Sequence, residues 1–238
     1  MRKLILLWVC SLVFMHLSAQ QELDIVAKHI EAVGGEKSWA AIERIRVEGI
    51  VYMEGLQINT TKQVIRNKGY RNDMVFEGKI ESFKNNKFYI SIYKNEGWKY
   101  LPDSPNNQPE ALTQDEIKTY MEEMDFEDPF IRYKEKGIKI TYLSKENILE
   151  KDYYKFILNF ASGKTEYVYI DASNYMIAKR VLTNSDAEDT RDYADYQTFE
   201  KGIKYPTTMH VTLGTIQIQK VIINPPIDEK LFQIKINP

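Results

Sequence analysis

Along most of this chain, every second residue is apolar. In Ile45, Val47, Gly49, Val51 and Met53 the alternate positions are apolar or small, while Arg46, Glu48 and Glu54 take the other side. A period of two is the geometry of a strand with one buried face. Glu54-Gly55 reads as a turn, and further strands are expected at about 58–66, 70–77, 79–84 and 88–94, punctuated by Asn67-Lys68-Gly69, Glu77-Gly78 and Asn85-Asn86. A second block is expected at about 153–160, 165–170, 176–182, 189–200 and 207–223. Short strands with tight turns predict an antiparallel meander. The 16 Tyr and 10 Phe point the same way, because aromatic residues suit a pleated surface. The last run changes phase: Met209, Val211 and Leu213 are apolar at odd positions, Ile216 and Ile218 at even ones. One strand cannot bury both sets, so a hairpin is expected at Gly214-Thr215. Asn224-Pro225-Pro226 ends the sheet, and Leu231-Phe232 is expected to tuck the tail against it.

Helical spacing occurs in three places. Leu23, Val26, Ile30 and Val33 form one stripe over 23–33, stopped by Gly34-Gly35, which can adopt positive φ. A short helix at about 37–42 presents Trp39 and Ile42. In mid-chain, Pro102, Pro105 and Pro109 make a stiff loop that cannot join a sheet interior. Thr113 and Glu116 then have capping-box spacing, flanked by Leu112 and Ile117 at hydrophobic-staple positions. Ile117, Tyr120, Met121 and Met124 share the face of the helix that follows, which ends over 125–129. No linker breaks the pattern, so residues 20–238 are expected to form one domain.

The first 19 residues follow another logic. Arg2 and Lys3 precede an apolar core from Leu4 to Leu17, then Ser18-Ala19-Gln20. This is the pattern of a cleaved secretory signal peptide, too short for a bilayer span of about 20 residues. The remainder is therefore expected to work in the periplasm, without a transmembrane span. The one cysteine, Cys10, lies within this leader. Trp8 and Val9 precede it where a lipidation site carries small residues. Disulfides, thiolate metal sites and cysteine nucleophiles are thus excluded from the remainder. The formal charge of −2 gives no basic excess to hold a phosphate backbone, so nucleic acid is not an expected partner.

No catalytic or metal-binding pattern emerges. His29 and His210 have no neighbour at ligand spacing and read as ordinary surface or part-buried histidines. There is no Gly-x-Ser-x-Gly elbow and no phosphate-cradling loop; Ser162-Gly163-Lys164 reads as a hairpin turn. Glu122, Glu123, Asp125, Glu127 and Asp128 lack calcium-loop spacing and read as a solvated helix end. Asp189, Asp192 and Asp195 alternate faces on a strand. The reading is a non-enzyme without cofactor or metal.

What remains is apolar and aromatic. Several strands carry large residues on both faces, for example Phe88, Ile90 and Ile92 against Tyr89 and Tyr93, or Tyr154, Phe156, Leu158 and Phe160 against Tyr153 and Ile157. A sheet packed on both sides explains this. So does a curved sheet enclosing an apolar ligand, with the Met-containing helix as plug or lid, because methionine conforms to varied shapes.

Three stretches carry a resemblance: 30–35 with Trp39 and Ile42-Glu43-Arg44-Ile45; Tyr167-Val168-Tyr169-Ile170-Asp171 with 175–179; and Gly202-Ile203-Lys204-Tyr205-Pro206 through 223–228 to Leu231-Phe232. Their order resembles the LolA/LolB-like superfamily of periplasmic lipid and lipoprotein carriers, in an outer membrane lipoprotein-sorting branch. The resemblance implies a half-open antiparallel β-barrel of about eleven strands, mainly β with N-terminal helices and a mid-chain lid or plug helix. It also implies binding of acyl chains or a lipidated protein without catalysis. Lipoprotein carriers of that superfamily hold the lid with an inner-strand arginine, and Arg66 is the nearest candidate.

The expected function is therefore a carrier that shields acyl chains of a lipid or lipidated protein, with envelope membrane proteins as further candidate partners. The expected cavity wall comprises Val47, Val51, Met53, Met74, Phe76, Ile90, Ile92, Phe156 and Leu158, covered by Ile117, Tyr120, Met121 and Met124. A one-residue slip in register inverts each strand's contribution. The alternative is a non-catalytic interaction or sensor module on the same fold.

Overall fold

The computed structural model describes residues 21–78, 85–104, 108–184 and 187–234. The leader, and the strand expected at 79–84, lie outside the described residues. Among these, thirteen strands form one antiparallel sheet with few helices, in the order β6-β5-β4-β3-β2-β1-β13-β12-β11-β10-β9-β8-β7. The order has two ends, β6 and β7, so the sheet is open. Strand partners are chain neighbours except where β1 meets β13. Two compact units divide the described residues: those of 21–36 with 128–193, and those of 37–127 with 194–234.

The first unit contains helix α1 (21–32) and strands β7 (Lys139–Ile148), β8 (Lys151–Asn159), β9 (Thr165–Asp171) and β10 (Ile177–Asn184), with the first part of β11 (Ala187–Thr198). The glycine stop of α1 is a Schellman cap: Gly35 N–H donates to Ile30 O at 2.8 Å and Gly34 N–H to Glu31 O at 3.0 Å, with φ of +109° at Gly34 and +82° at Gly35. Ile25 and Val26 of α1 pack with Phe130, Phe156, Leu158, Val168, Ile170 and Ile177 in a continuous core. Register puts Tyr142, Phe156 and Val168 opposite one another, with Ile170 opposite Ile177. The expected alternation on β8 and β9 thus becomes one buried face.

His29 departs from expectation. It is fully buried, with Nδ1 donating to Tyr175 O at 2.7 Å and Nε2 3.0 Å from Asp128 Oδ1. A carbonyl only accepts and a carboxylate favours a donor, so the site suits the doubly protonated ring. Burial alone opposes that charge, but the Asp128 carboxylate and the Tyr175 carbonyl outweigh it, and the pKa is raised. Asp128 was expected at a solvated helix end; instead it is drawn in to satisfy a histidine on the apolar stripe of α1.

The second unit contains α2 (Glu36–Ala40, from Lys37), β1 (Arg44–Met53), β2 (Leu56–Ile65), β3 (Gly69–Phe76), β4 (Lys87–Tyr93), β5 (Glu96–Tyr100), β6 (Glu110–Ala111), α3 (Gln114–Glu123), β12 (Lys204–Val211) and β13 (Gly214–Ile223). The Glu54-Gly55 turn has φ of +50° and +81°, as a two-residue hairpin of this twist requires. The terminal hairpin turns two residues earlier than expected, at Thr212-Leu213. Gly214 already lies in β13, where a β-carbon would sit 1.9 Å from Tyr52 O. The phase problem has a second solution further on. Gly49 pairs with Ile218 while Glu48 pairs with Lys220, so Gln219 is bulged out. The bulge puts Ile216, Ile218, Val221 and Ile223 on one face. Asn224 locks this end, its Oδ1 accepting from Glu43 and Arg44 N–H and its Nδ2 donating to Ala41 O.

β5, β6 and β7 were not expected. β5 is short and interrupted by Gly97. β7 is a sheet end whose alternation is blurred by Lys145 and Glu146 and by a bulge between Tyr142 and Ser144, features that keep edge strands from sticking to one another.

Of the two tail residues expected to tuck against the sheet, Phe232 does so and Leu231 stays exposed. Phe232 is buried over Gly69, Ser91 Oγ donates to its carbonyl at 3.0 Å, and Glu229 receives Lys68 Nζ and Tyr93 Oη.

Candidate functional site

The two faces of β1–β5 and β13 can be read from the registers. Gly97 pairs with Ile92, Ile92 with Tyr70, Tyr70 with Val64, Val64 with Ile45 and Ile45 with Ile223. Paired residues share a face, and so do residues two apart. This face therefore carries Val47, Val51 and Met53 of β1, Met74 and Phe76 of β3, and Ile90 and Ile92 of β4. The seven wall residues expected in this unit lie on one side of it. The tail and Phe232 lie on the other.

Helix α3 covers one end of the apolar face. Its start is the reciprocal box expected: Glu116 N–H donates to Thr113 Oγ1 at 3.2 Å, and Thr113 N–H to Glu116 Oε2 at 2.8 Å. The staple residues land on β5. A β-carbon at Gly97 would lie 2.7 Å from Leu112 Cδ1 and 3.0 Å from Ile117 Cγ1. Glycine there lets α3 approach the strand. Tyr120 stacks on Tyr70 with ring centroids 6.3 Å apart, and Lys99 Nζ donates to Glu116 Oε1 at 2.7 Å. The bond from Lys99, followed by that from the Thr113 backbone, holds the Glu116 carboxyl down at about 2. Ile117 and Met124 are buried, whereas Met121 is 50% exposed on the flank of the stripe.

The helix is short, so cover is uneven. Val47, Ile58, Phe76 and Ile92 are buried. Val51, Met53, Met74, Phe88, Ile90, Ile216 and Ile218 remain half-buried. Phe156 and Leu158, the other two expected wall residues, belong to the first unit and are fully buried in its core.

Arg66 follows β2. Its Nε donates to Ile42 O at 2.8 Å and its Nη2 to Trp39 O at 2.9 Å, capping the carbonyl end of α2 with a cation. Its Nη1 lies 2.7 Å from Glu127 Oε1, and its guanidinium stands 4.7 Å over the Phe126 ring. Arg66 thus ties α2 to the segment leaving α3. Glu127, expected among solvated acids, is buried because it answers this arginine. Removing one member of such a pair costs about 3–5 kcal/mol.

The sequence reading missed the polar residues on the apolar face. Thr60 and Lys62 have the parity of Ile58 and Val64, and Asn72 that of Tyr70 and Met74. The parity was legible, but polar residues at apolar positions carried no signal without neighbours. Among the described residues no helix is long and apolar enough to cross a membrane.

Comparison with known proteins gives a fold. No protein-family model matches the chain, and no curated protein matches it. Solved structures do. An outer membrane lipoprotein-sorting protein domain from Vibrio parahaemolyticus, described as putative, is similar with a TM-score of 0.56 at 14% identity, over 90% of this chain and 97% of that one. A DUF1329 family protein from Desulfovibrio piger has 0.58 at 12% identity, over 89% and 97%. A LolA superfamily protein from Nitrosomonas europaea has 0.54 at 13% identity, over 90% and 97%. Together with the open antiparallel sheet and the helix packed on one of its faces, these likenesses show that the chain has a LolA-like fold.

Proposed function

We propose that the protein is an exported, periplasmic, non-catalytic carrier that binds acyl chains of a lipid or lipidated protein. One observation supports this above the rest: on a single face half-buried Met74, Phe88 and Ile90 adjoin one another beside α3, and half-buried Val51, Met53, Ile216 and Ile218 adjoin one another further along, with buried Ile58 between the two groups. Apolar surface that the described residues leave half-covered supports a place for a ligand. Each methylene buried there contributes about 0.8 kcal/mol, so an acyl chain binds without a covalent step. The lipoprotein-sorting description of one structural neighbour agrees with this reading. The test is saturable binding of a fluorescent fatty acid, with mass spectrometry of lipids co-purified from the periplasm. Met74→Asp places a carboxylate in the apolar face and should abolish binding while the protein stays folded; Met121→Asp, at an exposed site, should not. A folded wild type that binds no acyl probe overturns the carrier.

A second reading, an interaction or sensor module, draws on β7. It ends the sheet, and Leu149 at its hairpin tip is 93% exposed. Stoichiometric capture of an envelope protein through β7, with no acyl binding, would favour it.

A further inference from the structure

The described residues contain no cysteine, so their sulfur is that of Met53, Met74, Met121, Met124, Met176 and Met209. These methionines are sorted by place. Met124 and Met176 are buried, Met121 is exposed on α3, and Met53, Met74 and Met209 are half-buried. The half-buried three share the apolar face of the second unit. Met53 lies opposite Leu56 and Met74 opposite Thr60 and Phe88. Met209 lies opposite Ile216, which in turn faces Val51. Among the described residues, every methionine that solvent reaches therefore stands on this face or on the helix beside it. A thioether has no proton to lose and is nucleophilic without activation, so access to the sulfur decides which methionine an oxidant attacks. Its oxidation turns a flexible apolar side chain into a polar one.

We propose that Met53, Met74 and Met209 are sites of reversible sulfoxidation, and that their oxidation by a hypohalous acid switches off acyl binding on this face. With hypochlorous acid an S–O bond forms and the O–Cl bond breaks. The electrons of one sulfur lone pair pass to chlorine, which leaves as chloride, and the hydroxyl proton goes to water. The product carries an S=O dipole where the face was apolar. An acyl chain laid over it must strip water from that oxygen and gives no hydrogen bond in return, which weakens binding. Methionine sulfoxide reductases, one for each epimer, reverse the change. The inference rests on the carrier reading and adds a regulation to the same site.

The experiment treats the folded protein with limiting hypochlorous acid. Peptide mass spectrometry follows each methionine, and a fluorescent fatty acid reports binding. Met121 should react first, then Met53, Met74 and Met209, and last Met124 and Met176. Binding should survive oxidation of Met121 and fall about tenfold once the half-buried three have reacted. The two sulfoxide reductases should restore it. A triple variant, Met53→Leu with Met74→Leu and Met209→Leu, should lose no binding on treatment relative to its own untreated form. Met121→Leu should lose binding on treatment as wild type does. Unaltered circular dichroism after treatment confirms that folding is intact. Reaction of Met124 and Met176 as early as Met74 overturns the assignment of the sites. Equal loss of binding on treatment in the triple variant and wild type overturns the switch while the acyl carrier stands. Failure of untreated, folded wild type to bind the fatty acid overturns the carrier and the switch together.

Discussion

The two units bury their apolar sheet faces by different means. In the first, α1 and Phe130 fill the face, and Phe156, Leu158, Val168 and Ile170 retain no exposure. In the second, α3 covers the row of Tyr70, Ile92 and Gly97, while residues such as Met74, Phe88 and Ile90 stay half-buried. Similar period-two strands thus produce a sealed core in one place and an incomplete one in another. The difference lies in what the chain lays across them. One helix carries a five-residue stripe, Ile25, Val26, His29, Ile30 and Val33; the other settles only Ile117, Tyr120 and Met124.

Truncation gives the strongest test of that contrast. Phe156→Ala should lower stability by about 3–5 kcal/mol, the cost of a cavity in a close-packed core. Met74→Ala, on the unfinished face, should cost about 1 kcal/mol or less. Urea denaturation of both variants checks this. Equal losses would mean that the second face is sealed core as well, and the comparison would collapse.

The ion pair inside the first unit allows a pH test. For His29, burial works against protonation but is outweighed by Asp128 and the Tyr175 carbonyl, so the folded pKa lies above the ordinary 6.5. Its contribution is then complete below pH 6.5 and is lost as pH rises through the raised value. For Asp128, burial is likewise outweighed, by His29, the Phe130 N–H and Arg180, and the folded pKa lies below the ordinary 3.8. That contribution is complete above 3.8 and is lost as pH falls through the lowered value. The α1 amides should therefore be best protected between these limits. They should exchange hydrogen faster at alkaline pH, after correction for intrinsic rates. His29→Gln should flatten the alkaline limb. An unchanged limb in that variant would show that the pair does not hold α1.

The smallest expected effect concerns the cover of the second face. Thr113→Ala removes the hydroxyl that accepts Glu116 N–H and should cost about 0.5–2 kcal/mol. Thermal melting followed by tryptophan fluorescence suits this, because Trp39 and Trp98 both lie in the second unit. No change would mean that α3 is held by its contacts with β5 alone.

Local signals were legible wherever the physics is local. The capping box, the double-glycine stop, the Glu54-Gly55 turn and the parity of β1, β3 and β4 each depend on residues within a few positions of one another. The elements missed were those whose pattern is weakened by their place. β5 is short and broken by the glycine that admits α3, and β7 carries the charges of a sheet end. The terminal hairpin was displaced by two residues because the bulge at Gln219 also shifts phase, and a bulge is visible only against its partner strand.

The alternation of apolar residues determined by itself that this chain forms antiparallel strands, and its helix signals placed three helices among them. Backbone geometry enforces those outcomes over a few residues. Which face of each strand meets a helix, and how completely, was decided by tertiary structure. The same holds for the charged residues: His29 found Asp128 in the first unit, and Arg66 found Glu127 in the second, across separations that no spacing rule reports. The polar group of Thr60, Lys62 and Asn72 exists only once β2 and β3 are in register, because side chains distant in sequence become one surface through strand pairing alone.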